Sequence, residues 1–153
     1  FEMAGHLVDL AVALLGKPKA VHPFLAHHHT AEPRDFVDHG VALLEFERAF
    51  GIIEVPALEV VPGTRRIEVY GTTGACIIPH LGSGHLANRN IQPIDVYDTP
   101  AAAWQTLELP AATLQIADLR EFAAVTTGQK TPDFSNQHDL DVQEVLLRTS
   151  GML

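Results

Sequence analysis

Three ionisable residues near the start of the chain have the spacing of neighbours on one face of a helix. His6 follows Glu2 by four residues, and Asp9 follows His6 by three. Residues three and four apart meet on a helix surface. A carboxylate beside an imidazole raises the basicity of the histidine and sets its tautomer, as a proton-transfer site requires. The same spacing also suits a satisfied, partly buried pair with no chemical role, and spacing alone does not separate the two interpretations.

The segment that carries these residues has an apolar side. Apolar residues recur at helical intervals over residues 3–15 and predict one buried stripe. The stripe comprises Met3, Leu7, Leu10 and Leu14, and it is widened by Val8, Ala11 and Leu15. Gly16 followed by Pro18 is typical of a helix end. We therefore expect a mostly buried helix whose polar strip carries the three ionisable residues.

The rest of the chain alternates short apolar runs with turn residues and ends in two stretches of helical periodicity. We expect strands over residues 20–26, 38–48, 52–60, 66–70, 75–78 and 104–109. We expect turns at residues 49–51 and 72–74, loops at 27–35 and 88–103, and helices at 114–127 and 138–149. Hairpin turns between successive strands predict an antiparallel meander. These elements define an α+β chain.

Several segments resemble, in order, the C-terminal domain of the Gfo/Idh/MocA oxidoreductases. The first is an acid, Glu2, followed by His6 and a nearby Asp9, and it leads into Leu-Leu-Gly-x-Pro at residues 14–18. Residues 66–75 resemble the family's strand-turn-strand segment, and residues 133–147 resemble its closing Asp-rich loop and helix. Together these segments extend over most of the chain.

The resemblance implies that residues 1–153 form a single C-terminal domain for substrate binding and oligomerisation. Its fold would be an open, largely antiparallel β-sheet with helices packed on one face. In that family a Rossmann domain comes first and carries the NAD or NADP site together with a catalytic lysine. The implied activity is hydride transfer between the nicotinamide and a sugar, cyclitol or related polyol. We therefore expect this chain alone to bind no cofactor and to be inactive as a dehydrogenase.

The resemblance also implies roles for the three residues at the start of the chain. His6 would be the general acid/base on the substrate oxygen, with Glu2 orienting or polarising it and Asp9 contributing to substrate binding. The commonest family pattern has Asp where this chain has Glu2. The longer side chain can still reach one helical turn along.

The beginning of the chain predicts that a segment precedes it, and the resemblance implies that this segment is the Rossmann domain. Phe1 is not an initiator Met, and no N-cap residue stands before the first helix, so we expect the chain to be part of a longer protein. Gly82-Ser83-Gly84 resembles a dinucleotide fingerprint, but such a motif must open a helix, and no helical periodicity follows it. We therefore expect a Gly-rich loop there, and no cofactor-binding residue in this chain.

Composition excludes several classes of partner. The formal net charge is −9, whereas nucleic acids and anionic membranes require clustered Lys and Arg, so we expect neither as a partner. No apolar run is long enough to span a bilayer, and no signal peptide is visible. The single cysteine, Cys76, lies in an apolar strand, which predicts a buried free thiol and fits a reducing cytoplasm.

Two of the expected strands are apolar on both faces. Residues 41–44 are all apolar, and apolar residues surround a single acid in residues 52–58. Strands solvated on one face normally alternate, and a large open apolar face usually marks an interface. The resembled family forms dimers and tetramers through such a face. We therefore expect a homodimer or tetramer through the sheet, with the chain's own Rossmann domain and a small-molecule substrate as further partners.

The nine histidines of the chain include three in a row, His27, His28 and His29. Adjacent residues in a strand point to opposite sides, so these three do not ligate one ion without distortion. No Cys pair or His-x-x-x-His helix supports a closed zinc site, and we expect no metal. Two other classes of function stay open from the sequence alone. They are a non-catalytic binding or assembly module and a small metal-dependent enzyme that uses the histidines.

Overall fold

The computed structural model describes residues 4–29, 31–58, 66–79, 91–110 and 114–153. Within these ranges the chain forms three α-helices and seven β-strands, and all strand pairs are antiparallel. In chain order the elements are α1 (Gly5–Leu15), β1 (Ala20–Ala26), β2 (His39–Glu45), β3 (Phe50–Pro56), β4 (Ile67–Tyr70), β5 (Gly74–Ile78), β6 (Ile91–Asp98), β7 (Ala103–Pro110), α2 (Leu114–Thr126) and α3 (Asn136–Thr149). The predicted α+β class, with antiparallel strands and three helices, is confirmed.

The chain divides into two compact units. The first comprises Phe1–Glu59 and Thr131–Leu153, and it contains α1, α3 and a three-stranded sheet of order β1-β2-β3. The second comprises Val60–Lys130, and it contains α2 and a four-stranded sheet of order β4-β5-β6-β7. The predicted site residues His6 and Asp9 belong to the first unit.

The first unit buries one face of its sheet together with one side of α1 and of α3. The buried core comprises Val8, Val12, Ala42, Leu44, Phe46, Ile53, Val145 and Leu146. Leu44 is fully buried, and its neighbours across the sheet are Val21 of β1 and Gly51 of β3. A Cβ added at Gly51 would lie 3.2 Å from the Phe46 ring. The absence of a side chain at Gly51 therefore gives the ring room to pack in the core.

The other face of the same sheet carries exposed apolar side chains. Ile52 is 75% exposed and Phe24 is 63% exposed. Their neighbours across β2 are Leu43 and Val41, which are half-buried. The prediction that these strands are apolar on both faces is confirmed. We call the four residues Phe24, Val41, Leu43 and Ile52 the open apolar face.

The predicted apolar stripe of α1 is wrong in its register. The helix buries Val8 and Val12, whereas Leu10 is half-buried and Leu14 is 59% exposed. Leu10 and Leu14 lie more than a quarter-turn around the helix from the buried valines, on the side that carries His6. Because α1 is apolar over most of its circumference, periodicity alone did not distinguish the side that packs from the side that is left open.

Two turn and loop predictions are also wrong. The hairpin between β2 and β3 turns before residue 49, with the Phe46 N–H donating to the Ala49 carbonyl at 2.9 Å, and Phe50 already starts β3. The stretch 88–103, predicted as a loop, contains β6. A proline cannot donate a backbone N–H to a strand ladder. Pro93 nevertheless lies in β6, where it pairs with Glu108 of β7 and lies beyond the residues that pair with β5.

The second unit confirms the hairpin predicted at residues 72–74, which joins β4 to β5. Cys76 is a free thiol in β5 and is half-buried, not fully buried as predicted. Gly82-Ser83-Gly84 lies outside the described residues. No helix in the described ranges has the length and apolar character needed to cross a bilayer.

Candidate functional site

His6 and Asp9 lie on the exposed side of α1. Both residues are exposed, they stand one turn apart, and the helix buries Val8 and Val12 on a different side. The structure therefore brings these two predicted site residues to one surface. Glu2 lies outside the described residues.

The carboxylate of Asp9 is bonded to a histidine from the far end of the chain. Nε2 of His138 and Oδ1 of Asp9 are 2.8 Å apart, and the two side chains are 13% and 53% exposed, respectively. The His138 ring also stacks on Phe134, with the ring centroids 4.4 Å apart. A shielded imidazole thus anchors an exposed carboxylate one helical turn from His6.

The start of α3 places His138 in this contact. The N-cap residue Ser135 accepts the backbone N–H of His138 through its Oγ at 3.2 Å, which fixes the first turn of the helix. The sequence predicts a helix start here but no role for His138. Ser135 was a usable signal for the helix start. The pair with Asp9 spans 129 residues, and no periodicity connects positions so far apart.

A second polar link between α1 and α3 lies just past the C-terminal end of α1. Lys17 Nζ is 2.5 Å from a Glu144 carboxylate oxygen and 3.1 Å from Asp141 Oδ1. The bond to Glu144, followed by that to Asp141, raises the pKa of Lys17, and the same lysine lowers the pKa of Glu144. The pKa of Asp141 is lowered first by the Gln137 amide and then by Lys17. These groups are solvated, so each pair contributes little stability and mainly orients the two helices.

The histidine run after β1 surrounds a buried carboxylate. Asp38, only 5% exposed, accepts the backbone N–H of His28 at 2.8 Å and that of His29 at 2.6 Å. The bond from His29 is the main cause that lowers the pKa of Asp38. Nδ1 of His27 donates to the carbonyl of Phe36 at 2.7 Å. Asp38 therefore holds this segment through backbone amides, which is a structural role.

The imidazoles of the run do not converge on one point. The His28 ring lies edge-on to that of His39, with centroids 6.0 Å apart, and His39 Nε2 is 3.0 Å from Glu54 Oε1. In the part of the chain that the structure describes, no three His, Cys, Asp or Glu side chains are arranged to hold a metal ion. The run follows the last residue of β1 and lies in the stretch predicted as a loop.

An apolar cavity of about 490 Å³ also lies in the first unit. It is lined largely by the helix-covered side of the sheet and by the chain around the end of α3, including Val55, Thr149 and Met152. His6, Asp9 and His138 do not line it. The candidate site is therefore the exposed surface of α1, and this cavity is separate from it.

Comparison with known families identifies the domain. Residues 1–77, just over half of the chain, match the family described as the GFO/IDH/MocA C-terminal domain. The matched range includes Glu2, His6 and Asp9. The chain therefore belongs to the Gfo/Idh/MocA family as a C-terminal domain. No curated protein matches it.

Solved structures show the same fold. A protein from Klebsiella pneumoniae assigned as an oxidoreductase matches 99% of this chain and 45% of its own, with a TM-score of 0.77 and 19% identity. A protein from Desulfitobacterium hafniense assigned as an NADPH-dependent oxidoreductase matches 95% of this chain and 43% of its own length. Its TM-score is 0.76 and its sequence identity is 18%. The WlbA dehydrogenase from Bordetella pertussis, solved with NADH and UDP-GlcNAcA, matches 98% of this chain and 40% of its own length. Its TM-score is 0.66 and its sequence identity is 21%. The chain spans less than half the length of each.

Proposed function

We propose that this chain is the substrate-binding and oligomerisation domain of an NAD(P)-dependent oxidoreductase that acts on a sugar, cyclitol or related polyol. The observation that carries the proposal is the surface of α1, where His6 is exposed one turn from an anchored Asp9. Membership of the family supports the reaction class. The names of two structural neighbours, one NADPH-dependent and one solved with NADH and a sugar nucleotide, support the cofactor and the substrate class.

In this mechanism the chain handles the proton of the substrate hydroxyl. A nicotinamide dinucleotide bound to the N-terminal domain would supply the hydride acceptor for the carbinol carbon. The imidazole of His6 takes the hydroxyl proton as the carbonyl forms and returns it in the reverse direction. Glu2, one turn before His6 in the sequence, orients the imidazole. Asp9 accepts a hydrogen bond from a second substrate hydroxyl.

The surface around His6 suits the docking of a second domain. Leu14 is 59% exposed and Leu15 is 46% exposed at the end of α1, and half-buried Leu10 lies between His6 and Leu14 on the same side. Apolar side chains so exposed beside a polar site are typical of an interface. We assign this surface to the N-terminal Rossmann domain, which would bring the nicotinamide and its lysine next to His6.

The open apolar face suits association with a second copy of the chain. It places Phe24 and Ile52, both more than 60% exposed, beside Val41 and Leu43 on the side of the sheet opposite to the buried core. Covering such a face from water is the main favourable term in association. The proposed assembly is a homodimer or tetramer through this sheet.

The test uses the protein that contains this chain together with its N-terminal domain. We expect His6→Ala to lower kcat by about 10²–10⁴-fold, the usual contribution of a positioned general acid/base, and to leave the dinucleotide Kd nearly unchanged. Glu2→Gln should lower kcat less than His6→Ala does, because glutamine keeps the shape of the glutamate side chain and removes only its charge. His29→Ala is the matched control, since this histidine is also exposed and contacts Asp38 only through its backbone. Unchanged turnover in folded His6→Ala would contradict the proposal.

A further inference from the structure

Asp9 uses only one of its two carboxylate oxygens within the described part of the chain. Oδ1 is bonded to His138 at 2.8 Å, and the side chain remains 53% exposed. An ionised carboxylate has two oxygens that accept and none that donate. The Oδ2 atom therefore has no hydrogen-bond partner within the described part of the chain, and on a side chain this exposed it can accept from an outside donor.

Three contacts fix the position of the His138 ring. Its ring is 13% exposed, it stacks on Phe134 at 4.4 Å, and its backbone N–H is bonded to the N-cap Ser135. To donate to an ionised Asp9, Nε2 must carry the proton. The ring thus presents one fixed donor to a carboxylate on another helix, and it limits the rotamers that Asp9 can adopt.

We propose that His138 is a positioning residue for substrate recognition, an inference that rests on the proposed function. It holds Asp9 through Oδ1 so that Oδ2 accepts a hydroxyl of the substrate whose reacting hydroxyl meets His6. Side chains one helical turn apart have Cβ atoms about 5–6 Å apart. Such a spacing fits two hydroxyls on one small molecule. The arrangement therefore selects a substrate with a hydroxyl near the reacting carbinol over one that lacks it.

A merely structural link between the helices is the competing explanation. Lys17 supplies the matched control, because it also joins α1 to α3 through Asp141 and Glu144. It lies eleven residues beyond His6 and past the C-terminal end of α1, which is Leu15. If His138 only ties the helices together, then Lys17→Gln and His138→Ala should affect the enzyme in the same way.

The experiment measures KM and kcat of the full protein with glucose, myo-inositol and their monodeoxy analogues. We expect His138→Ala to raise KM about tenfold for the best polyol, the loss of one hydrogen bond to a charged group. It should also reduce the preference for the polyol over the analogue that lacks the second hydroxyl. His138→Gln retains an N–H donor, so its KM and its preference for the polyol should both be close to those of the wild-type protein. Lys17→Gln should change neither KM nor the preference for the polyol.

Asp9→Asn separates the failure of this inference from that of the proposed function. If Asp9→Asn leaves KM and the polyol preference unchanged, or if the wild-type protein oxidises none of these compounds, the proposed substrate site is wrong. If Asp9→Asn raises KM while His138→Ala behaves like Lys17→Gln, the site stands and the positioning role of His138 is wrong. Nitrogen-15 NMR of the His138 ring gives a readout without turnover. A ring unprotonated at Nε2 near neutral pH would overturn the inference.

Discussion

The carboxylate of Asp38 accepts the backbone N–H of His29 at 2.6 Å, and this bond joins the residue before β2 to the segment after β1. Asp38 is the one buried ionisable residue in the described part of the chain, and it is 5% exposed. A buried carboxylate without donors would be strongly unfavourable. The amides of His28 and His29 are therefore what allow it to stay ionised at this position.

We predict that Asp38→Asn lowers the Tm of the protein, because an amide oxygen carries no charge and accepts the two N–H groups less strongly. The pKa of Asp38 is lowered in the folded state, chiefly by His29, so its stabilising contribution is present above the unfolded value of 3.8. The contribution is lost as the pH falls through the lower, folded pKa. Thermal melts should therefore separate the wild-type protein from the variant above pH 3.8 and converge only as the pH falls below that value.

The matched control for this prediction is Asp35→Asn, an exposed acid three residues earlier in the chain. It should melt close to the wild-type protein at neutral pH. Equal losses of Tm for the two variants would show that the bonds of Asp38 to His28 and His29 contribute no more than a surface charge does.

A second prediction concerns the two faces of the first sheet. Leu44 is fully buried, and its neighbour Leu43 points to the open apolar face. Leu44→Ala should lower the free energy of unfolding by roughly 2–5 kcal/mol, because it removes apolar contacts and leaves a cavity. Leu43→Ala should lower the free energy of unfolding by clearly less than Leu44→Ala does, at concentrations where the protein is monomeric. Urea denaturation measures both, and the reverse order would show that the core lies on the other face.

The fold was largely predictable because most elements carry their own local signals. β1 follows a helix end at Gly16 and Pro18, and the hairpin between β4 and β5 has turn residues at 72–73. The side of α1 that packs was not predictable. Val8 and Leu10 are both apolar, and only contact with the sheet and with α3 selects the valine side.

The candidate site was predictable only in the part that lies on one helix. The spacing of His6 and Asp9 is a local property, and the structure places both on the exposed surface of α1. His138 comes from an element 129 residues away from Asp9, and its contribution depends on how α3 packs beside α1. No pattern within a single element carries that information.

A third prediction tests the proposed assembly. Ile52→Lys places a charge on the open apolar face, where burial in an interface would be costly, so it should dissociate the oligomer. A standard interface buries about 1,600 Å² in total, and sedimentation at micromolar concentration should resolve its loss. Leu140→Lys on α3 is the control, since Leu140 is 63% exposed and lies away from this face. A wild-type monomer, or equal effects of the two variants, would contradict the prediction.

A fourth prediction concerns the dinucleotide. The sequence lacks a phosphate-binding turn that opens a helix, and its lysines are confined to Lys17, Lys19 and Lys130, none in a Glu-Lys-Pro motif. Lys17 is already paired with Asp141 and Glu144. We therefore expect residues 1–153 alone to show no dehydrogenase activity. Isothermal titration calorimetry should detect no tight binding of NAD, NADP or their reduced forms, whereas the protein with its N-terminal domain should bind one of the pairs. Stoichiometric, tight binding to residues 1–153 would show that the Gly82-Ser83-Gly84 segment is a nucleotide site, and a Gly84→Ala variant would then be expected to abolish it.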